Sequence, residues 1–148
     1  MLRGGLAAYR STGAGVGTPY IALLAAAIEI AGRIEEALTL FDDALQIVED
    51  TGERWFAAEL NRQKGQLPLR QGHTEAAEDL YCKGLSIAVE QEAKLWELRA
   101  AVSLARVRRD QDRRAEARDL LAPIYGWFTE GFDTRDLKEA KALLEELG

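Results

Sequence analysis

The chain has 148 residues, of which 47% are apolar and 30% are charged, and its formal net charge is −6. This length fits one compact domain or one short repeat array, and the apolar content argues against a disordered chain. The acidic balance argues against a general binder of nucleic acid or anionic membranes. The apolar run over residues 21–28 is too short to span a bilayer. A single cysteine, Cys82, excludes an intramolecular disulfide and predicts a cytoplasmic protein.

An internal repeat organises the chain. Gly32, Gly72 and Asp112 follow one another at intervals of 40 residues. An alanine lies five residues beyond each of them and a leucine lies eight residues beyond. These residues are Ala37, Ala77 and Ala117, and Leu40, Leu80 and Leu120. Because such offsets trace one face of a helix, the sequence predicts three copies of a helical unit.

In chain order, residues 1–18 are predicted to form the remnant of a helix and a Gly-rich connector. Three repeats follow, at about 19–53, 54–93 and 94–132. Each repeat is predicted to hold two antiparallel helices, here called A and B, joined by a short turn. The A helices are expected at about 19–31, 54–70 and 94–110, and the B helices at about 34–50, 74–91 and 113–129.

The ends of these helices also have sequence signals. Gly32 and Gly72 are expected to end the first two A helices in the left-handed conformation, which glycine adopts most easily. Asp112 takes that position in the third repeat, at some cost. Residues 133–148 are predicted to form a capping helix at about 135–147, with Leu137 and Leu143 on the face that docks on the third repeat.

The series Gly32…Ala37…Phe41 and Gly72…Ala77…Tyr81 resembles the tetratricopeptide repeat. A small residue seven positions before each anchor, such as Gly65, matches the close-packing position of that family. The period of 40 residues is longer than the family's value of about 34. The resemblance implies an all-α fold, an α-α superhelix of three antiparallel helix pairs plus a C-terminal capping helix.

A narrower resemblance rests on two segments, Thr51-Gly52-Glu53-Arg54-Trp55 with its continuation to residue 65, and residues 93–106. They look like the C-terminal repeat tail of bacterial signalling proteins that carry a nucleotide-binding ATPase module, often behind a class III adenylate cyclase domain. The resemblance implies a non-catalytic protein–protein interaction or scaffold segment. It implies no catalysis, because neither module lies within these 148 residues.

Catalytic, cofactor and metal sites find little support in the sequence. The Gly-rich connector at residues 13–19 lacks the lysine of a phosphate-binding loop and follows no predicted strand, which favours a flexible connector. His73 and Cys82 have no further ligands for a zinc site and no orienting group for nucleophilic catalysis. We expect Cys82 to be buried and His73 to face solvent. We therefore predict no catalytic residue, no cofactor and no metal.

The resemblance also places the A helices along a concave groove. In that arrangement Arg62, Gln66 and Arg70 form one row on the second A helix, since they are four residues apart. The third A helix contributes Arg99, Arg106 and Arg109. Such a groove suits a carboxylate, a phosphate or an acidic peptide. The alternative is that these arginines pair with Glu59, Glu97 and Asp110 or keep the surface soluble.

Two further hypotheses concern aromatic residues and self-association. Trp55, Phe56, Trp96, Trp127 and Phe128 lie near the predicted helix junctions, and most of them are expected in the core. The N-terminal end of the array is the least covered, so a homodimer formed through residues 4–31 is the second hypothesis for function. Acidic residues interrupt the arginine-rich stretch at residues 106–118, so nucleic-acid binding is not predicted.

Overall fold

The computed structural model describes residues 18–52 and 54–148, and every regular element in these ranges is an α-helix. The predicted helix remnant and most of the Gly-rich connector lie outside the described residues. The helices are α1 (Thr18–Ile30), α2 (Ile34–Thr51), α3 (Ala57–Arg70), α4 (Thr74–Glu90), α5 (Lys94–Asp110), α6 (Arg114–Gly126) and α7 (Arg135–Leu147). The A helices of the sequence analysis are α1, α3 and α5, and the B helices are α2, α4 and α6.

The same chain reversal ends four helices. In each reversal a backbone N–H donates to the carbonyl oxygen five residues earlier, and the residue before the donor has a positive φ. In these four reversals the residue with positive φ is Gly32 (82°), Gly72 (83°), Glu92 (55°) or Asp112 (61°). The left-handed conformation predicted for Gly32 and Gly72 is therefore confirmed. Asp112 and Glu92 adopt it with a Cβ atom, which costs conformational energy.

The A helices form the inner side of an α-α superhelix. Within each pair, α1 packs on α2, α3 on α4 and α5 on α6, and α7 packs on the last pair. Along the array α1 contacts α3, α3 contacts α5 and α5 contacts α7, whereas successive B helices make at most marginal contact. Because the A helices lie closer together than the B helices, the A side is the concave side.

Small residues allow the helices to approach closely. Ala25, Ala37, Ala77 and Ala117 are all fully buried. The closest approach is between α3 and α4, where a Cβ atom added to Gly84 would lie 2.8 Å from the carbonyl oxygen of Ala58. The apolar core runs along the array as three adjoining clusters, so no hairpin has a separate core.

Two helices are shorter than the repeat pattern predicts. The third helix begins at Ala57 rather than near residue 54, and α6 ends at Gly126 rather than near residue 129. In both places aromatic residues occupy the connection between hairpins instead of a helical turn. Trp55 and Trp127 are about half exposed, and Phe56, Trp96 and Phe128 are only partly buried. The expectation that most of these rings are core residues holds in part, because Phe56 and Trp96 pack against one core cluster and Phe128 against another, whereas Trp55 and Trp127 are exposed.

The environment of Cys82 also differs from the expectation. Cys82 is exposed on α4 rather than buried, since the apolar face of this helix passes through Tyr81 and Ala77. His73 is exposed, as predicted. Among the helices described here, none is both long enough and apolar enough to cross a membrane.

The close contact at Gly84 predicts a destabilising substitution. In Gly84→Ala the new methyl group meets the backbone oxygen of Ala58, which cannot move without shifting α3, so the free energy of unfolding should fall by about 1–3 kcal/mol. Gly126→Ala is the matched control, because a Cβ atom there meets nothing within 4 Å. Urea denaturation of both variants measures the difference. Equal stability of the two variants would contradict the packing described here.

Candidate partner-binding groove

A buried carboxylate lies at the base of the concave side. Glu59, on α3, is only 3% exposed, and burial of an ionised group is costly unless hydrogen bonds compensate it. Arg62 donates to both carboxylate oxygens of Glu59, from Nε at 2.6 Å and from Nη2 at 2.8 Å. Arg99 on α5 donates from Nη1 at 3.2 Å, and Gln63 donates from Nε2 at 3.2 Å. Glu59 therefore links two successive A helices.

The Arg99 side chain is held from several directions. Its Nε and Nη2 atoms donate to the two carboxylate oxygens of Asp136 on α7, at 3.1 and 3.0 Å. Its guanidinium carbon lies 5.0 Å from the centre of the Trp96 ring. Burial lowers the pKa of Arg99, but the hydrogen bonds that it donates to Asp136 and the charges of Glu59 and Asp136 outweigh this effect and raise that pKa above its ordinary value. Arg99 is therefore a fixed positive charge.

Above these residues lies a cavity of about 360 Å³ between α3, α5 and α7, which we call the groove cavity. Four arginines line it, together with Gln66, the apolar residues Leu98 and Val102, the hydroxyl of Ser103, and two acidic residues of α7. The arginines are Arg62, Arg99, Arg106 and Arg135, and the acidic residues are Asp136 and Glu139. A cavity of this composition presents several N–H donors to a ligand.

Two smaller cavities extend this surface along the A helices. One, of about 300 Å³, shares Gln66, Ser103 and Arg106 with the groove cavity and adds the Tyr81 ring. Burial raises the pKa of Tyr81, so its phenol stays neutral near physiological pH. The other, of about 240 Å³, shares Gln66 and has a more apolar wall. The three cavities share lining residues and together make up the groove on the concave side.

The structure brings most of the sequence-predicted residues together. Arg62, Gln66, Arg99 and Arg106 line the groove cavity, and Arg70 lines the adjoining one. Arg109 lies outside both cavities, at the C-terminal end of α5. It donates to Asp110 at 3.0 Å and to Glu146 at 2.9 Å.

The alternative interpretation, that the arginines pair with nearby carboxylates, is also partly met. Arg62 and Arg99 both bond to Glu59, and Arg109 bonds to Asp110. Glu97 has a different partner, because the ammonium of Lys94 on the same helix lies 3.2 Å from it. The two interpretations are thus not exclusive, because the guanidinium groups of Arg62 and Arg99 line the groove and also pair with a carboxylate.

The sequence interpretation missed Ser103 and the three polar residues of α7. A signal was nevertheless present in the spacing of the charges. Glu59 and Arg99 are 40 residues apart, and Arg70 bonds to Glu29 across 41 residues. Opposite charges on A helices that are separated by one repeat period therefore meet across the hairpin boundary. One period beyond Arg99 lies Glu139, three residues past Asp136, the α7 carboxylate to which Arg99 donates.

The Cys82 thiol and the potential metal ligands among the described residues were the reactive groups that the sequence singled out. Burial raises the pKa of the Cys82 thiol, and Glu78 and Asp79 raise it further against the opposing charge of Arg108. A raised pKa disfavours the nucleophilic thiolate. Within residues 18–52 and 54–148, no three His, Cys, Asp or Glu side chains come together in a way that could hold a metal ion.

An array of helix hairpins with a polar groove on its A side defines a helical-repeat module of the kind that binds other proteins. The sequence profile of the tetratricopeptide repeat matches residues 17–90, and the chain belongs to this family. Tetratricopeptide repeats generally mediate protein–protein interaction or scaffolding and are typically non-catalytic. No curated protein matches the chain closely enough to be called a relative.

The buried position of Glu59 predicts a large loss of stability when its charge is removed. Glu59→Gln leaves Arg62 and Arg99 without their shared carboxylate, and the free energy of unfolding should fall by about 3 kcal/mol. Glu49→Gln removes the same charge from an exposed position on α2 and should change stability by less than about 0.5 kcal/mol. Chemical denaturation tests both. A similar small effect for Glu59→Gln would show that this ion pair does not join the repeats.

Proposed function

We propose that the chain is a non-catalytic scaffold module of a bacterial signalling protein, and that its concave groove binds an acidic peptide or an acidic segment of a neighbouring domain. The observation that carries this proposal is the groove cavity, where four arginines converge in a protein whose formal net charge is −6. Guanidinium groups recognise carboxylates through paired hydrogen bonds. A local positive site on an acidic protein also steers acidic ligands to one place.

The signalling context rests on the likeness of residues 51–65 and 93–106 to the repeat tail of bacterial ATPase and cyclase proteins. In the fold, the helical parts of these segments belong to α3 and α5, whose side chains form the walls of the groove cavity. The resemblance is therefore concentrated in the proposed binding surface. We place the protein in the cytoplasm, where a chain with a single cysteine and a signalling partner is expected.

Charge reversal at Arg106 tests the groove. The Arg106 side chain is 46% exposed and has only a 3.6 Å ion pair with Glu139, so Arg106→Glu should alter binding without unfolding the chain. Fluorescence anisotropy with fluorescein-labelled hexaglutamate should show an affinity about tenfold lower than that of the native chain. The affinity of the native chain should also fall with added salt. Labelled hexaglutamine is the uncharged control probe.

The matched control variant is Arg118→Glu, which makes the same charge change at an exposed position on α6. Equal loss of affinity in both variants would mean that only net charge matters, and the groove would not be the binding site. Reversal of Arg99 is a poorer test, because a glutamate there would face Glu59 and Asp136 and destabilise the fold.

A second candidate function is self-association, and the exposed apolar side of α1 favours it. Leu23 and Ile30 are 69% and 84% exposed and lie on one side of the helix, two turns apart. We propose a second copy of the chain as the occupant of this face, which would form a homodimer through α1. Residues 4–17, which the sequence analysis included in this interface, lie outside the described residues.

Sedimentation velocity tests the homodimer. If it forms through α1, Ile30→Glu should shift the chain toward the monomer mass, and added salt should not weaken the native dimer. Val89→Glu, at an exposed apolar position on α4, is the control and should leave the mass unchanged. A native chain that sediments as a monomer at all concentrations would exclude this candidate.

A further inference from the structure

The arginines of the groove cavity differ in how many hydrogen-bond donors they have left. Arg99 uses Nε and Nη2 on Asp136 and Nη1 on Glu59. Arg62 uses Nε and Nη2 on Glu59, and its Nη1 lies 3.5 Å from the hydroxyl oxygen of Ser103. Of the five N–H groups of a guanidinium, Arg99 has three bound to protein carboxylates and Arg62 has two, so both side chains are anchored by the protein. These two arginines therefore form the frame of the cavity.

Arg106 and Arg135 are engaged differently. Both contact the same carboxylate, Glu139 on α7. Arg135 donates from Nε to Oε1 at 2.9 Å, and Arg106 Nη2 lies 3.6 Å from Oε2, too far for a hydrogen bond. All three side chains are at least one-third exposed. Glu139 thus lies between two guanidinium groups whose remaining donors are free to bind another anion.

The charge balance of the cavity leaves room for one more carboxylate. Four arginines line it, and the carboxylates of Glu59, Asp136 and Glu139 lie against them, so the sum is +1. If a ligand displaces Glu139, the Arg106 and Arg135 pair carries +2 at the exposed mouth of the cavity. Ser103 and Gln66 add neutral donors on the adjoining wall.

We propose that the position of the Glu139 carboxylate, between Arg106 and Arg135, is the anion subsite of the groove, and that Glu139 is an internal competitor for it. The ligand group is a carboxylate of the partner protein, and it binds by replacing Glu139. This inference rests on the proposed function of the groove and adds the subsite and its regulation. The ion pair between Arg106 and Glu139, at 3.6 Å, is the longest of the ion pairs in the cavity, so Glu139 holds Arg106 less closely than it holds Arg135.

Removal of the competitor should strengthen binding, a result that unfolding cannot imitate. In the anisotropy experiment with labelled hexaglutamate, Glu139→Gln should bind about two- to fivefold more tightly than the native chain, as expected for loss of a partly exposed ion pair. Glu145→Gln is the matched control, because it removes the same charge from an exposed position on the same helix. The gain should exceed that of the control and should disappear in an Arg106→Glu background.

The outcomes of these experiments test the anion subsite and the groove function separately. If Glu139→Gln binds no more tightly than Glu145→Gln while Arg106→Glu still weakens binding, the subsite is overturned and the groove function stands. If Arg106→Glu and Arg118→Glu have equal effects, the groove function itself is overturned. If hexaglutamate binds neither the native chain nor Glu139→Gln, both proposals are overturned. A gain in Glu139→Gln that persists with Arg106→Glu places the anion elsewhere and overturns the subsite.

Discussion

The concave side of this protein depends on one buried carboxylate. Glu59 has been removed from water, and its ionised form is tolerated because Arg62 and Arg99 donate to it. Since Arg62 lies on α3 and Arg99 on α5, the carboxylate holds the two helices at a fixed register. It also keeps both guanidinium groups extended along the cavity wall. If Glu59 were absent, Arg62 and Arg99 would each have to lose about 2 kcal/mol of rotamer entropy to reach the same positions, with no hydrogen bonds to Glu59 to offset that loss.

The same device recurs along the array. Glu29 on α1 bonds to Arg70 on α3, Arg99 on α5 bonds to Asp136 on α7, and Arg109 bonds to Glu146 on α7. Each pair joins an A helix either to the next A helix or to the capping helix α7, and the helices joined in this way also contact one another directly. A solenoid is stabilised by the interfaces between neighbouring units, so these pairs strengthen the contacts on which its stability depends. These ion pairs mainly fix the relative positions of neighbouring helices, because most of them are partly exposed and each one contributes little to the free energy of unfolding.

The repeat period was enough to predict the helices and the reversals at Gly32 and Gly72, because these features depend on local conformation and on the spacing along one helix face. It did not predict the exposure of Trp55 or Cys82. A periodic pattern identifies the faces of a helix, but it does not say how far the next hairpin extends over them. The partner of Arg99 on α7 was also out of reach, since Asp136 lies beyond the third repeat and the pairing depends on how α7 docks.

If the groove binds an acidic segment as proposed, its internal ion pairs would give selectivity at the expense of affinity. A ligand carboxylate that enters the cavity replaces an existing partner, so the free energy of binding is the difference between two ion pairs and not the full strength of one. Weakly acidic segments gain too little from this exchange. A segment with several carboxylates would gain at Arg106 and at Arg135, and the frame made by Glu59 and Asp136 holds Arg62 and Arg99 in place, so little of their side-chain entropy would be lost on binding. Under this proposal, the net negative charge of the rest of the chain would repel such a segment and restrict its binding to the groove.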